Sequence, residues 1–252
     1  MYQADRLHAF AAESDSLAVV TSSEELKQVL KSREDGSKLI AGLLGTEGSH
    51  ALDGDLDNIR RLYDAGFRMM SLQHFFDNKL GGSLHGESNA GLTEFGREAV
   101  RLMDSMGIMI DVSHSSSQVV DDVLNLIDSP LIVSHTGFKG HCDRKRNISD
   151  DLIMRIAERG GLMGVGFWSE AVCGTDVTAI ADAIAYGVET FGVEAVALGS
   201  DWDGAVTTPI AANDLAYLTS ALLKRGLSED DIRAVMGGNT VRYFLEHLPA
   251  TD

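Results

Sequence analysis

Residues 108–114 read IMIDVSH, a short apolar run that ends in a serine and a histidine. Residues 131–135, LIVSH, repeat the arrangement. Short apolar runs of this kind are typical of strands buried in a parallel sheet, and the sudden change to polar residues marks where each strand ends. The same pattern, a buried strand with a polar end, can be followed along most of the chain.

Six apolar runs alternate with longer segments whose apolar residues recur at three- and four-residue intervals, as at Leu56, Ile59 and Leu62. The runs are Leu39–Leu44, Met69–Leu72, Ile108–Val112, Leu131–Val133, Leu162–Phe167 and Ala195–Leu198. Strands that alternate with helices predict an α/β fold with a parallel sheet, and 252 residues suit a (β/α)8 barrel of the TIM type. We expect a single barrel domain over residues 1–252.

Composition excludes several classes of function. The chain is 44% hydrophobic and 23% charged, with a formal net charge of −17, so it can form a core but should repel nucleic acid. No stretch approaches the roughly 20 apolar residues of a membrane span, and residues 1–12 lack a signal-peptide pattern. Cys142 and Cys173 are too few for a disulfide framework and are expected to be free thiols. These features predict a cytoplasmic protein.

Polar side chains with ligand chemistry follow five of the six runs, as in a parallel barrel whose functional groups collect where strands end. They are Glu47, His74, His114, His135 and Asp201. A carboxylate with two imidazoles is a good donor set for zinc, and an open coordination position would make the site catalytic. Zinc polarises a carbonyl and activates water, and a carboxylate nearby can accept and return the proton. The pattern predicts a metal-dependent hydrolase.

Seven segments carry a family resemblance. They are GTEGSHAL around Glu47, SLQHFFDN around His74, IDVSHSS around His114, IVSHTG around His135, DRKRNISDD around Arg146, GSDWDG around Asp201, and GGNTVR near the C-terminus. In this order and spacing they resemble the membrane (renal) dipeptidase family of zinc metallopeptidases, peptidase family M19, from about Lys38 to Leu245. The resemblance implies a distorted (β/α)8 barrel that holds two zinc ions and cleaves dipeptides.

The resemblance also implies a role for each site residue. The implied metal ligands are Glu47, His114 and His135, the catalytic residues are Asp201 and His74, and the substrate-binding residues are Arg146, His74 and Asp201. Glu47 resembles the carboxylate that bridges both metals, and His74 the group that steadies the tetrahedral intermediate. Arg146 resembles the clamp on the substrate's free carboxylate, and Asp201 the proton shuttle. His50, His85 and His141 are expected not to be ligands.

One family feature is missing ahead of Glu47. The family's first strand ends in a His-x-Asp pair that binds the first zinc, whereas the only earlier histidine here is His8, in DRLHAF. We therefore expect an N-terminally incomplete barrel that lacks its first two strands, with open edges on the third and eighth. We expect one zinc bound through Glu47, His114 and His135, and weak or absent dipeptidase activity. A missing N-terminal segment could also have carried a secretion signal, and the open edges would allow a homodimer.

Two other functions fit the same residues. One is a related amidohydrolase acting on another small amide that bears a carboxylate, because Arg146 predicts the carboxylate and not the rest of the substrate. The other is a truncated, non-catalytic relative that binds a ligand in the same pocket. Absence of the His-x-Asp pair favours this binder, and the presence of Asp201, His74 and Arg146 counts against it.

Overall fold

The computed structural model describes residues 1–203 and 205–251; Gly204, the last residue of the GSDWDG motif, and Asp252 lie outside the described residues. Within the described ranges the strands are β1 Leu17–Val19, β2 Ile40–Gly42, β3 Leu44–Thr46, β4 Phe67–Ser71, β5 Met109–Asp111, β6 Ile132–Thr136, β7 Leu162–Val165 and β8 Val196–Leu198. The helices are α1 Tyr2–Ala12, α2 Ser23–Glu34, α3 Asp57–Asp64, α4 Glu94–Ser105, α5 Ser117–Leu126, α6 Asp150–Glu158, α7 Ser169–Val172, α8 Val177–Phe191, α9 Leu215–Lys224, α10 Glu229–Arg233 and α11 Asn239–His247. Short 3-10 turns lie at His50–Leu52, Val193–Ala195 and Ala212–Asp214, and a π-type turn at Ala234–Gly238.

A parallel sheet of six strands, β3 to β8 in sequence order, forms the frame of the molecule. Each of its strands overlaps one of the six predicted runs, so the predicted α/β fold with a parallel sheet is confirmed. Among the described residues no strand pairs with the outer edge of β3 or of β8. The sheet is therefore open, with its two free edges on the strands where open edges were expected.

The prediction of one strand over Leu39–Leu44 was wrong. The run divides at Leu43, so that β2 pairs with β1 in a separate two-stranded sheet while β3 pairs with β4. The strand β1 was not predicted at all. Its three residues, Leu17–Val19, are apolar and half-buried, and so short an apolar run does not by itself distinguish a strand from part of a helix. Such a strand depends on its partner, β2, rather than on its own sequence.

The two faces of the six-stranded sheet are covered differently. Side chains alternate between faces along each strand, so Ile110 and Met163 join the core under the helices. A second cluster fills the opposite face near the strand starts: Leu26, Met109, Ile132, Leu162, Ala197, Tyr243 and Leu248. This cluster packs α2 and α11 against the starts of β5 to β8. This apolar cluster fills the sheet at the starts of the strands, and the polar residues lie at the opposite ends of the same strands.

Capping side chains mark the starts of three helices, and each capping residue is of the type that favours this position in a sequence. The Ser22 side chain accepts a hydrogen bond from the Glu25 amide and forms a capping box at the start of α2. Thr93 caps α4 and Ser228 caps α10 in the same way. The described part of the chain includes no helix with the length and apolar content needed to cross a membrane.

The expectation of free thiols was wrong, because Cys142 and Cys173 form a disulfide with their Cα atoms 5.5 Å apart. Cys142 lies in the segment between β6 and α6, and Cys173 directly follows α7. The cysteines are 31 residues apart, and only the folding of β6 and β7 side by side brings them together. Two isolated cysteines in a sequence therefore could not reveal the pairing.

Replacing Cys142 with alanine is expected to lower the free energy of unfolding by about 4 kcal/mol, since a crosslink over a loop of this length restricts the unfolded chain by roughly that amount. Urea unfolding monitored by circular dichroism measures it. Cys173→Ala and the double variant should lose the same amount, because each removes one and the same bond. A loss in the double variant equal to both single losses together would contradict this prediction.

Candidate metal centre

The ends of five strands bring the five predicted polar residues into one cluster. Glu47 follows β3, His74 follows β4, His114 follows β5, His135 lies in β6 and Asp201 follows β8. Two groups of donor atoms, each lying within 4.8 Å of one another, are Glu47 with His74 and His114, and Glu47 with His135 and Asp201. Because Glu47 belongs to both groups, its carboxylate is the centre of the cluster.

Three donor atoms converge most closely. Oε1 of Glu47 lies 3.1 Å from Nε2 of His114 and 3.3 Å from Nε2 of His135, and the two Nε2 atoms are 2.8 Å apart. Zinc bonds to oxygen and imidazole nitrogen are about 2.0–2.2 Å long, so one ion can reach all three atoms. The two facing nitrogen atoms also cannot both carry a proton. The donor set therefore fits a zinc ion.

The electrostatics of the cluster keep the donors in the forms that bind a metal. The close contacts of its carboxylate with the imidazoles of His114 and then His135 hold the pKa of Glu47 far below its ordinary value. Burial lowers the pKa of His114 to about 4, so its imidazole is neutral at physiological pH. A deprotonated carboxylate and a neutral imidazole are the species that coordinate zinc.

Two site residues have a backbone conformation that side chains rarely adopt. His114 has a φ of +62° and Asp201 a φ of +61°. Only three other non-glycine residues in the described ranges share the left-handed region, namely Asp53, Asn89 and Cys173. Such a conformation costs about 1–3 kcal/mol for a residue with a side chain, and it persists where the surrounding structure requires it. Both residues belong to the cluster of donor atoms, and the packing around that cluster holds them in this conformation.

His135 reaches the cluster through an irregularity in β6. The register of β6 against β7 shifts between Val133 and Thr136, which interrupts the regular alternation of side chains. His135 thereby points toward Glu47, and the neighbouring Ser134 hydroxyl lies 2.9 Å from the Nδ1 atom of His135. This contact of Ser134 with His135 was not predicted.

His74 lies at the edge of the cluster. Its Nε2 atom is 3.5 Å from Oε1 of Glu47, and its ring packs edge-on against His114 with centroids 4.7 Å apart. The backbone carbonyl of His74 accepts a hydrogen bond from the Ser83 hydroxyl, which fixes the loop. About one third of the His74 side chain is exposed, so the imidazole contacts the donor atoms on one side and solvent on the other.

Arg146 is buried directly beside the cluster, with only 6% of its surface exposed. Its Nη2 donates to the backbone carbonyl of His135 at 2.8 Å, and its guanidinium lies 5.3 Å from the ring centre of Trp168. No carboxylate of the described residues is within ion-pair distance of it. Burial lowers its pKa to about 10, which still leaves the group charged. A buried cation without a counterion favours an anionic ligand.

Asp201 is the last member of the cluster, and its carboxylate carries the charge opposite to that of Arg146. It is half-buried, and this burial raises the pKa of its carboxyl group. A raised pKa suits a group that must take up and release a proton. The neighbouring Asp203 accepts a hydrogen bond from the Ala205 amide at 2.7 Å, and so shapes the loop.

Three further histidines lie outside the donor groups found in the described residues: His50, His85 and His141. Sequence reasoning did not identify Asp111, Ser113 and Ser134, which connect to His135 by hydrogen bonds. One signal was present, because Asp111 is a charged residue inside the apolar run IMIDV. A charge at a buried strand position requires partners, and this one has them.

Comparison with known proteins gives the family of the chain. The family model described as membrane dipeptidase, peptidase family M19, matches residues 1–248. The chain belongs to the membrane dipeptidase family. Among its relatives is Dipeptidase 3 of Homo sapiens, 30% identical over 254 residues that cover 96% of this chain and 50% of that protein. The chain thus spans about half the length of the curated relative it matches.

Solved structures of family members and related proteins share the fold. An amidohydrolase from Pseudomonas aeruginosa superposes with a TM-score of 0.87 at 25% identity, covering 98% of this chain and 83% of that one. A metallopeptidase from Rhodobacter sphaeroides, solved with a phosphinate mimic of the dipeptide L-Ala-D-Ala, gives 0.79 at 24% identity, covering 92% of this chain and 69% of that one. The resemblance predicted from the sequence motifs is confirmed.

Proposed function

We propose that this chain is a zinc-dependent dipeptidase that binds one zinc ion through Glu47, His114 and His135. The observation that carries the proposal is the position of Arg146, whose guanidinium donates to the carbonyl of the ligand His135. An anion-binding group and a metal centre are thereby adjacent. A small substrate whose scissile amide is close to a free carboxylate, as in a dipeptide, could contact the metal centre and Arg146 at the same time. The phosphinate dipeptide mimic bound by the Rhodobacter sphaeroides relative supports the same class of substrate.

Zinc at this centre would polarise the scissile carbonyl and lower the pKa of a water molecule. The side chains of the chain itself supply the remaining steps. Arg146 binds the substrate carboxylate and orients the amide. Asp201 accepts the proton of the attacking water and returns it to the leaving amine. His74 donates a hydrogen bond to the carbonyl oxygen as negative charge develops there.

The first test is metal dependence with a panel of dipeptides. Protein stripped of metal should hydrolyse none of them, and one equivalent of added zinc should restore hydrolysis. Amides without a free carboxylate should be poor substrates. Zinc binding with dipeptide binding and no turnover would favour the non-catalytic ligand binder instead. Turnover confined to other amides that bear a carboxylate would favour the related amidohydrolase.

Replacing Arg146 with methionine is expected to raise KM for a dipeptide by about 100-fold, since loss of a charge-assisted bidentate contact costs roughly 2–3 kcal/mol. KM for the corresponding dipeptide amide should hardly change, because it has no carboxylate to lose. Zinc affinity should also stay the same. Steady-state kinetics on the matched pair of substrates measures the effect.

Arg155→Met is the matched control for that variant. Arg155 pairs with Asp121 between α5 and α6, with Nη1 and Oδ1 2.6 Å apart, away from the donor cluster. Its replacement should leave both KM values unchanged. If Arg146→Met raised KM equally for the dipeptide and its amide, the guanidinium would be a structural group and not the carboxylate clamp.

Two further properties are part of the proposal. Pairing through the open edges of β3 or β8 would give a homodimer, and sedimentation of the purified chain tests it. The disulfide is typical of an oxidising compartment and not of a reducing cytosol. Counting free thiols in protein isolated under alkylating conditions tests the compartment directly.

A further inference from the structure

A buried carboxylate lies behind His135, on the side of its ring opposite the metal donors. Asp111 is 2% exposed, and its Oδ2 accepts a hydrogen bond from the Ser134 hydroxyl at 2.6 Å. Ser134 Oγ in turn lies 2.9 Å from Nδ1 of His135. The other ring nitrogen, Nε2, faces Glu47 and His114. The three side chains form a row that ends at a candidate zinc ligand.

The direction of these hydrogen bonds follows from the chemistry of the groups. A carboxylate can only accept, and a serine hydroxyl has a single proton to give. That proton is committed to Asp111, so Ser134 Oγ accepts from Nδ1 of His135. The Nδ1 atom then carries the imidazole proton. The lone pair of Nε2 is left pointing at the metal centre, as zinc coordination requires.

The row is held rigidly. Oδ1 of Asp111 accepts from the backbone amides of Ser113 and Ser134, at 2.9 and 3.0 Å. The carbonyl of Ser134 lies against Gly164 and Gly199, where an added Cβ would come within 2.2 and 2.3 Å of it. The hydrogen bonds hold the carboxylate in place, and the close approach of the two glycines confines the backbone of Ser134. The hydrogen bond from the Ser134 amide also joins β5 to β6, so a structural role for Asp111 must be separated from an effect on His135.

His114 has no comparable support. Its Nδ1 atom is buried and has no hydrogen-bond partner among the described residues. No hydrogen bond of the described residues at Nδ1 therefore fixes the tautomer of His114. The row of hydrogen bonds acts on one of the two histidines only.

We propose that Asp111 is a positioning residue that acts through Ser134 to fix the tautomer and orientation of His135, so that Nε2 is always available to the metal. The inference rests on the proposed zinc site, because the lone pair on Nε2 of His135 matters for function only if it coordinates a metal ion. The substitution Asp111→Asn separates the two roles of the carboxylate. The asparagine oxygen can still accept from both backbone amides, whereas its NH2 group must donate to Ser134. The serine proton is then free to turn toward Nδ1 of His135, which reverses the tautomer.

The test measures the tautomer directly in metal-free protein labelled with 15N-histidine, by long-range 1H–15N correlation at about pH 8, above the ordinary titration range of histidine. In the natural chain His135 should show a protonated Nδ1 and an unprotonated Nε2. In Asp111→Asn the two should exchange. Zinc affinity, measured by competition with a chromophoric chelator, should fall by about 10- to 100-fold, as is usual when the group orienting a ligand is altered.

Two further variants keep the test decisive if Asp111→Asn fails to fold. Ser134→Ala breaks the row at its middle and should give mixed tautomers with weaker zinc binding. Ser116→Ala is the control, because Ser116 is a buried serine outside the donor cluster that caps α5 and donates to the Ala90 carbonyl at 2.7 Å. It should lower stability and change neither the tautomer nor the zinc affinity.

A protonated Nε2 on His135 in the natural chain would overturn the inference. So would an unchanged zinc affinity in both Asp111→Asn and Ser134→Ala. Failure of the proposed function looks different: the natural chain would bind no zinc, while the tautomer of His135 would still follow the state of Asp111.

Discussion

Glu47→Gln is expected to abolish zinc binding at physiological concentrations and with it all zinc-dependent hydrolysis. The carboxylate lies in both groups of converging donors, and the nearest nitrogen atoms of His114 and His135 are within 3.3 Å of it. Glutamine keeps the size of the side chain but removes its negative charge. Since altering a residue that only supports a ligand costs about 10- to 100-fold in metal affinity, losing the central ligand should cost more than about 100-fold.

Zinc content of the purified variant and its affinity in a chelator competition measure this effect without relying on activity. Glu170→Gln is the matched control, because Glu170 is an exposed glutamate whose side chain contacts the Ser169 hydroxyl. It should bind zinc as the natural chain does. A Glu47→Gln variant that held a full equivalent of zinc with ordinary affinity would contradict the proposed centre.

Asp201→Asn is expected to lower kcat by about 10²- to 10⁴-fold, the range that a positioned acid–base group contributes. Asparagine fills the same space but can neither accept nor return the proton. Zinc content and KM should change little, because the proposed ligands and Arg146 are intact. Rapid kinetics on a dipeptide, with zinc content measured in parallel, checks both parts.

The free energy of unfolding provides a second test of the ionisation of Asp201. Burial raises the pKa of its carboxyl group, so the folded state is favoured when the group is protonated and penalised once pH rises through that pKa. An asparagine side chain in its place cannot ionise, and the variant should be as stable as the natural chain at neutral pH or slightly more so. Asp203→Asn, which changes a carboxylate that shapes the same loop, should leave kcat nearly unchanged. Loss of zinc from Asp201→Asn would show that Asp201 is a ligand and not the proton shuttle.

Much of the candidate site could be predicted because its information is local. Each of Glu47, His74, His114 and His135 stands at or next to the end of a short apolar run. The carboxyl ends of parallel strands lie at the same edge of a sheet. The order of strands and helices alone therefore brings these residues together. The capping serines and threonine of α2, α4 and α10 were readable for the same reason, since a cap contacts only its own helix.

The features that were missed depend on partners distant in sequence. β1 is a strand only because β2 pairs with it, and Cys142 meets Cys173 only across 31 residues of folded chain. The role of Asp111 depends on Ser134, 23 residues further along, and on a register shift in β6 that no single segment encodes. Apolar periodicity reports which face of an element is buried and carries no information about which side chains will face one another.

The sequence by itself determined the alternation of strands and helices, the family, and which residues stand where strands end, because these follow from spacing along one segment. Only the tertiary structure decided how those residues are used. Packing placed the Nε2 atoms of His114 and His135 2.8 Å apart and set Asp111 behind His135. It also buried Arg146 beside them, with no carboxylate of residues 1–203 and 205–251 within ion-pair distance. Distances, burial and the direction of a hydrogen bond arise from several strands meeting at one point, and they exist only once the chain has folded.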